Sequence, residues 1–198
     1  MPKIKFDIEK CRKILIDYFR TISFAGEEEL NEMVALFHLD VYPKRAIIIH
    51  PNSPTKRLYF VINGLVRSYY TIEGKEITSN FIEENRLFAS TYSIITGIPN
   101  IDCFEALENT VCLSADFKEL EHLFSKYHLL ERLARKMVEM YYSQFLIENY
   151  NKLFLTSEER FEICMAERAS LVNRVSLKHI ASYLSIAPET LSRLRAKR

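Results

Sequence analysis

The chain contains few of the residues that mark several specialised classes of protein. Its 198 residues include no tryptophan and only four glycines, so a glycine-rich loop that cradles phosphate is not present. No apolar run approaches the ~20 residues that span a bilayer. The first residues alternate charged with apolar side chains and do not resemble a signal peptide. These features predict a cytoplasmic protein without a membrane partner.

The cysteines and histidines form no pattern typical of a metal, cofactor or catalytic site. Cys11, Cys103, Cys112 and Cys164 include no C-x-x-C pair, so we expect reduced, buried thiols rather than disulfides, a metal site or an iron–sulfur cluster. The five histidines include no H-x-H pair, and no Ser-His-Asp spacing is evident. The sequence therefore predicts no metal, no cofactor and no enzymatic activity.

Charge is distributed unevenly along the chain. Seven basic residues and one acidic residue follow from Arg168 onward, whereas the whole chain has 27 basic and 26 acidic residues. A basic end on an acidic body is typical of a protein whose small terminal module contacts a polyanion. At 48% hydrophobic residues, the chain can bury one core and a small satellite domain.

The first two-thirds of the chain predict an α+β fold with an antiparallel β-roll. Helices are predicted at 8–20 and 27–39 from their apolar periodicity. Turn dipeptides, with Asn63-Gly64 as the strongest hairpin signal, separate runs of β-branched and aromatic residues. Strands are predicted at 45–50, 58–62, 65–71, 76–81, 87–88, 102–107 and 110–115. So many short antiparallel strands must close on themselves or pack face to face.

A long helix is predicted next, from about residue 129 to 155, after a short one at 117–124. The long segment has neither glycine nor proline, and every third or fourth residue forms a mainly apolar seam. We expect this seam to contact the same helix of a second subunit; packing within one subunit is the alternative. The predicted dimer interface consists of Leu130, Leu133, Met137, Met140, Gln144 and Ile147.

The last residues predict a helix-turn-helix. Ser176 can cap a first helix whose apolar stripe contains Leu177, Ile180, Ala181 and Leu184. A short segment of small residues follows, and Pro188 suits the first position of a second helix. An ordinary amphipathic helix pair is the alternative interpretation.

The second helix carries side chains suited to double-stranded DNA. Arginine can donate two hydrogen bonds to guanine and glutamate can accept from cytosine, so Glu189 and Arg193 are the predicted base contacts. Polar and basic neighbours are predicted to hold phosphates. The predicted DNA-binding residues are Ser176, Lys178, Pro188, Glu189, Thr190, Ser192, Arg193, Arg195 and Lys197, with Arg198 as a further phosphate contact.

The stretches 58–67 and 180–193, in the order roll, long helix and helix-turn-helix, resemble the Crp/Fnr family of bacterial transcription regulators. The resemblance implies a double-stranded β-helix of the cyclic-nucleotide-binding type, which would span 1–125 with the N-terminal helices. It implies a dimerisation helix at 126–155 and a DNA-binding domain at 156–198. It also implies a homodimer on a palindromic operator, control by a small-molecule effector of unknown identity, and RNA polymerase as a candidate further partner.

Two features depart from that family. Its cyclic-nucleotide members bind the phosphate with an arginine, but the matching position here is Ile101, followed by Asp102, so cyclic AMP is not an expected ligand. Candidate effector-pocket residues are Arg86, Leu87, Phe88 and Tyr92. The second departure is Ser185, where the turn of the helix-turn-helix usually has glycine; serine can be accommodated there at modest strain. The C-terminal domain also lacks sequence for a β-wing. A roll that binds an effector or partner but not DNA is therefore the alternative function.

Overall fold

The N-terminal segment forms two helices and then enters a sheet. In the computed structural model, which describes residues 6–197, α1 is Ile8–Ile22 and α2 is Glu27–Ala35. The predicted second helix, 27–39, extends too far. Residues His38–Tyr42 form strand β1 instead, where Leu39 pairs with Leu113. Pairing with a distant strand overrides the local helical pattern at this boundary.

Eight strands and one short helix form the predicted roll. The strands are β1 (His38–Tyr42), β2 (Ile47–Ile49), β3 (Arg57–Asn63), β4 (Val66–Ile72), β5 (Lys75–Ile82), β6 (Leu87–Phe88), β7 (Cys103–Ala106) and β8 (Thr110–Asp116), with α3 (Thr91–Thr96) between β6 and β7. They make two four-stranded sheets, in the orders β1-β8-β3-β6 and β2-β7-β4-β5. The sequence predicted neither β1 nor α3.

The two predicted turns differ in what they connect. Glu73 and Gly74 both have positive φ and join the neighbouring strands β4 and β5 in a hairpin. Gly64, in contrast, joins β3 and β4, which belong to different sheets, so the hairpin predicted at Asn63-Gly64 is a crossing between sheets. A Cβ at Gly64, where φ is +106°, would lie 2.8 Å from the Cα of Thr110. Only glycine fits there.

Aromatic and aliphatic side chains from the strands form the core of the roll. Phe88 stacks on Tyr59 with ring centroids 4.9 Å apart and on Phe104 at 5.3 Å. The buried cluster around them contains Ile49, Val61, Val66, Ile82 and Cys112. All four cysteines are free and buried.

Six helices follow the roll: α4 (Phe117–Lys126), α5 (His128–Phe154), α6 (Ser157–Glu167), α7 (Ala169–Arg174), α8 (Leu177–Tyr183) and α9 (Pro188–Ala196). Thr156 and Glu159 cap the start of α6 reciprocally. The chain forms two compact units. One contains the residues up to Ser68 together with Phe81–Glu139, and the other contains Tyr69–Asn80 together with the residues from Met140 onward.

Candidate nucleic-acid interface

Helices α8 and α9 form a capped helix pair around a tight turn. The hydroxyl of Ser176 accepts a hydrogen bond from the His179 N–H at 3.3 Å, as expected of a helix N-cap. At the other end, Ser185 adopts a left-handed φ of 56°, and the Ile186 N–H donates to the Ala181 carbonyl. This arrangement closes α8 in the manner of a Schellman motif.

One side of each helix is buried and the other is exposed. Ile180, Ala181 and Leu184 of α8 are buried, as is Leu191 of α9. Leu177 is 41% exposed, so its predicted place in the buried stripe is wrong. Because it occupies the first turn of α8, it extends beyond the contact between the helices. The short apolar stripe therefore fixes which side of α9 remains exposed.

All the predicted DNA-binding residues that the structure describes are exposed, except Thr190. Glu189 and Arg193 are one turn apart on α9 and both are exposed. Thr190, which is half-buried, accepts a hydrogen bond from Arg193 Nη2 at 3.3 Å and so restrains the guanidinium. The other exposed predicted residues are Ser176, Lys178, Pro188, Ser192, Arg195 and Lys197. Arg198 lies outside the described residues.

One predicted phosphate contact already has a carboxylate partner. Lys197 Nζ lies 3.5 Å from Glu158 Oε1, with the two side chains 68% and 59% exposed. An ion pair this exposed is weak, so Lys197 can exchange Glu158 for a phosphate at little cost. The neighbouring acids of α6, Glu159 and Glu162, are also exposed.

Two arginines that the sequence did not mark as functional hold the end of α8. Arg160 donates from Nε to the Leu184 carbonyl at 2.9 Å and from Nη1 to the Leu155 carbonyl at 2.6 Å. Arg168 Nη1 donates to the Tyr183 hydroxyl at 3.2 Å. Although Arg168 is one of the seven basic residues of the C-terminal end, it is half-buried, and its guanidinium contacts Tyr183 and Asn80.

Tyr183 provides a second anchor point on α8. The Arg168 guanidinium carbon lies 5.6 Å from the Tyr183 ring centroid, and Lys152 Nζ lies 5.9 Å from it. Burial raises the pKa of Tyr183, and the nearby Arg168 only partly offsets this. The hydroxyl thus stays protonated and can accept from Arg168. No local sequence pattern marks this contact, because Arg168 and Tyr183 are 15 residues apart.

In the long helix α5, the predicted seam is buried at its start and partly exposed further along. Leu130 and Leu133 are 0% and 1% exposed because they pack inside the chain, so their predicted role in a dimer interface is wrong. Met137 and Gln144 are half-buried, whereas Met140 and Ile147 are exposed.

Large apolar side chains cluster on another side of α5. Spacings of three, four and seven residues place five of them on one face, which we name the outer face of α5. It consists of Tyr142, Phe145, Leu146, Tyr150 and Leu153, each 48–67% exposed. The sequence pattern alone could not separate this face from the seam, because apolar residues occur on both.

The four predicted effector-pocket residues differ in how exposed they are. Leu87 and Phe88 are both buried: they form β6, which pairs with β3, and Phe88 stacks in the core of the roll. Arg86 is exposed and Tyr92 is 41% exposed. The effector pocket lined by these four residues stays a prediction.

Polar side chains hold the segment around Ile101 in place. Asn100 is fully buried, and its Nδ2 donates to the carbonyls of His50 and Asp102 at 2.7 and 2.8 Å. The Asp102 carboxyl accepts from the Ser90 hydroxyl at 3.0 Å. Burial raises the pKa of Asp102 despite that hydrogen bond. Ile101 is 59% exposed.

This architecture is an antiparallel β-roll of the cyclic-nucleotide-binding type with flanking helices. Residues 39–127 match the family model described as a cyclic nucleotide-binding domain. FixK2 from Bradyrhizobium japonicum is a similar solved structure, with a TM-score of 0.69 and 21% identity, covering 81% of this chain and 83% of that chain. A search of curated protein sequences finds no match.

Two further solved structures share the fold. CLP, a c-di-GMP responsive global regulator from Xanthomonas campestris, has a TM-score of 0.68 and 16% identity, covering 87% of this chain and 91% of that chain. The catabolite activator protein from Thermus thermophilus has a TM-score of 0.56 and 19% identity, covering 87% and 83%. None of the helices within residues 6–197 has the length and apolar character needed to cross a bilayer.

Proposed function

We propose that this protein is a DNA-binding transcription regulator of the Crp/Fnr type, which binds a palindromic operator as a homodimer. The observation that carries the proposal is the exposed face of α9, where Glu189 and Arg193 lie one turn apart. The buried Leu191 holds the opposite side of the helix. A recognition helix enters the major groove in this manner, with its N-terminal residues directed at base edges.

Base contacts and phosphate contacts are divided between different side chains. Arg193 is suited to guanine and Glu189 to the cytosine amino group. Ser176 and Lys178 at the start of α8, together with Arg195 near the end of α9, are exposed and suited to phosphates. The first group gives sequence preference, and the second gives affinity that falls as salt rises.

The outer face of α5 is the proposed surface for a second copy of the chain. It presents five large apolar side chains that are each about half or more exposed. Three of them are aromatic, namely Tyr142, Phe145 and Tyr150, and aromatic side chains are enriched at the centres of protein interfaces. Two antiparallel or parallel copies related by a two-fold axis would bury the same face twice. A two-fold dimer also matches a palindromic operator.

Control through the roll belongs to the same proposal, with a small molecule of unspecified class as effector. Cyclic AMP is not the expected effector, since Ile101 replaces the phosphate-binding arginine and Asp102 adds an acidic group beside it. RNA polymerase is a proposed further partner, as for other regulators of this type.

An alternative is a roll that binds an effector or partner without binding DNA. The ion pair between Lys197 and Glu158 favours it, as do the neighbouring acids Glu159 and Glu162, because they reduce the positive charge beside α9. The experiment below distinguishes the two functions.

The test is selection of bound sequences from a random duplex pool by the purified protein, repeated at two salt concentrations. Phosphate-only binding weakens steeply with salt and selects no sequence. We expect enrichment of an inverted repeat that persists at the higher salt. Absence of enrichment in the presence and absence of nucleotides would contradict the proposal and favour the alternative.

A further inference from the structure

Helix α8 makes a second contact, apart from its packing against α9. Strand β5 is the end strand of its sheet, which has the order β2-β7-β4-β5. The outward N–H groups of an end strand have no neighbouring strand to accept their hydrogen bonds. At Thr78 the acceptor comes from α8, because the Thr78 N–H donates to the Ser182 hydroxyl oxygen at 2.9 Å.

The contact is buried and belongs to one compact unit. Thr78 is only 2% exposed, and Ser182 is half-buried. The β4–β5 hairpin, Tyr69–Asn80, clusters with the helices from Met140 onward and not with the rest of the roll. The hairpin is therefore part of the same body as the helix pair.

A second connection runs beside the first. The Asn80 side-chain oxygen accepts from Arg168 Nη1 at 3.2 Å, and the same nitrogen donates to the Tyr183 hydroxyl at 3.2 Å. Ser182 and Tyr183 are adjacent on the last turn of α8. That turn is thus bound to the hairpin directly through Ser182 and indirectly through Arg168.

The orientation of α9 follows from that of α8. The turn between the helices is short, with Ser185 in a left-handed conformation and Pro188 fixing the start of α9. Leu191 is buried at 1% exposure, as Ile180 of α8 is at 2%. A rotation of α8 on the hairpin would move α9 with it.

We propose that Ser182 is a positioning residue for DNA binding: its hydroxyl holds α8 on the edge of β5 and so fixes the direction in which α9 presents Glu189 and Arg193. This inference rests on the proposed function. Removing the hydroxyl deletes its hydrogen bond with the buried Thr78, which weakens the contact between α8 and β5. The helix pair itself remains intact, because its own core does not include Ser182.

Loss of positioning should affect DNA binding differently from loss of base recognition. In a dimer the two recognition helices must lie about 34 Å apart to enter successive major grooves. A helix pair held firmly on the hairpin tolerates one half-site spacing, whereas a loosened pair tolerates several. Sequence preference within one half-site depends on the side chains of α9 and stays unchanged.

The experiment compares the full-length wild type with Ser182→Ala, with Ser182→Thr, which keeps the hydroxyl, and with the control Ser125→Ala at an exposed helical serine. Affinities are measured for inverted repeats whose spacer is correct or changed by one base pair. We expect Ser182→Ala to reduce the wild-type spacing preference by about three- to tenfold, the range set by one hydrogen bond. Ser182→Thr and Ser125→Ala should retain that preference.

Hydrogen–deuterium exchange without DNA tests the contact itself. Loss of the hydroxyl should speed exchange of the Thr78 amide by about fivefold, and Ser125→Ala should leave it unchanged. Unchanged exchange, or an unchanged spacing preference in Ser182→Ala, overturns the inference. If exchange rises but the wild type selects no duplex, the contact stands and the proposed function fails, and the positioning role fails with it.

Discussion

The roll and the C-terminal helix pair use their polar side chains in opposite ways. In the roll, Arg67 is 1% exposed with its Nη1 3.5 Å from Glu105, and Asn100 is fully buried against two carbonyls. On α9, Glu189 and Arg193 are exposed. Buried polar groups of the roll thus form contacts within the fold, whereas Glu189 and Arg193 of α9 are accessible to a partner.

The largest expected difference between the two regions is in the stability lost when a leucine is truncated to alanine. Leu113 is 0% exposed at the centre of β8, where it pairs with Leu39 and Phe60. Leu113→Ala should lower the free energy of unfolding by about 2–5 kcal/mol, as for other buried leucines, measured by urea denaturation. The matched change Leu177→Ala, at a side chain 41% exposed at the start of α8, should have little effect on stability. Equal losses from both changes would contradict the assigned burial.

The outer face of α5 is predicted to form the contact between two copies of the chain. Phe145→Glu introduces a charge among exposed apolar side chains and should weaken the dimer by about 2 kcal/mol, or roughly thirtyfold. Sedimentation velocity over a range of concentrations measures this change. Phe24→Glu is the control, because Phe24 is 81% exposed on a different surface and should leave the mass unchanged. A dimer that survives Phe145→Glu intact would show that its interface lies elsewhere.

Ionisation of the Asp102 carboxyl should have a smaller effect on the stability of the protein. Burial raises its pKa, so the folded protein is destabilised once this group is charged. The wild type should lose stability relative to Asp102→Asn as the pH rises from below about 3.9, the ordinary aspartate value, through the raised pKa. Melting temperatures of both proteins between pH 4 and 8 measure the difference. The exposed Asp17→Asn is the control, and a difference that does not change with pH would refute the assignment.

Much of the architecture could be predicted from local patterns. The positions of most strands follow from β-branched and aromatic runs between turns, and the helix pair follows from Ser176, Pro188 and a short apolar stripe. The structure corrects the boundary after α2, since residues 38–42 pair with β8. Such pairing joins residues about 70 positions apart, and local periodicity does not detect it.

The candidate sites differ in how well they could be predicted. A helix with one buried side identifies its exposed residues by spacing, which is why Glu189 and Arg193 are exposed as predicted. In a strand, the sequence pattern does not distinguish residues that line a pocket from residues of the core. The pattern therefore predicts Leu87 and Phe88 in a pocket, although both are buried. The contacts of Arg168 and Ser182 with the hairpin depend on tertiary structure alone.

The most direct test of the central claim, that α9 recognises base pairs, is the affinity of Arg193→Ala for the selected operator and for versions with each base pair substituted in turn. We predict a loss of about 1–3 kcal/mol on the preferred operator and relaxed preference at one base pair per half-site. Lys197→Ala should weaken binding to all these duplexes alike, and only modestly because Glu158 already pairs with Lys197. If the two variants behave identically, the assignment of base recognition to Arg193 is wrong.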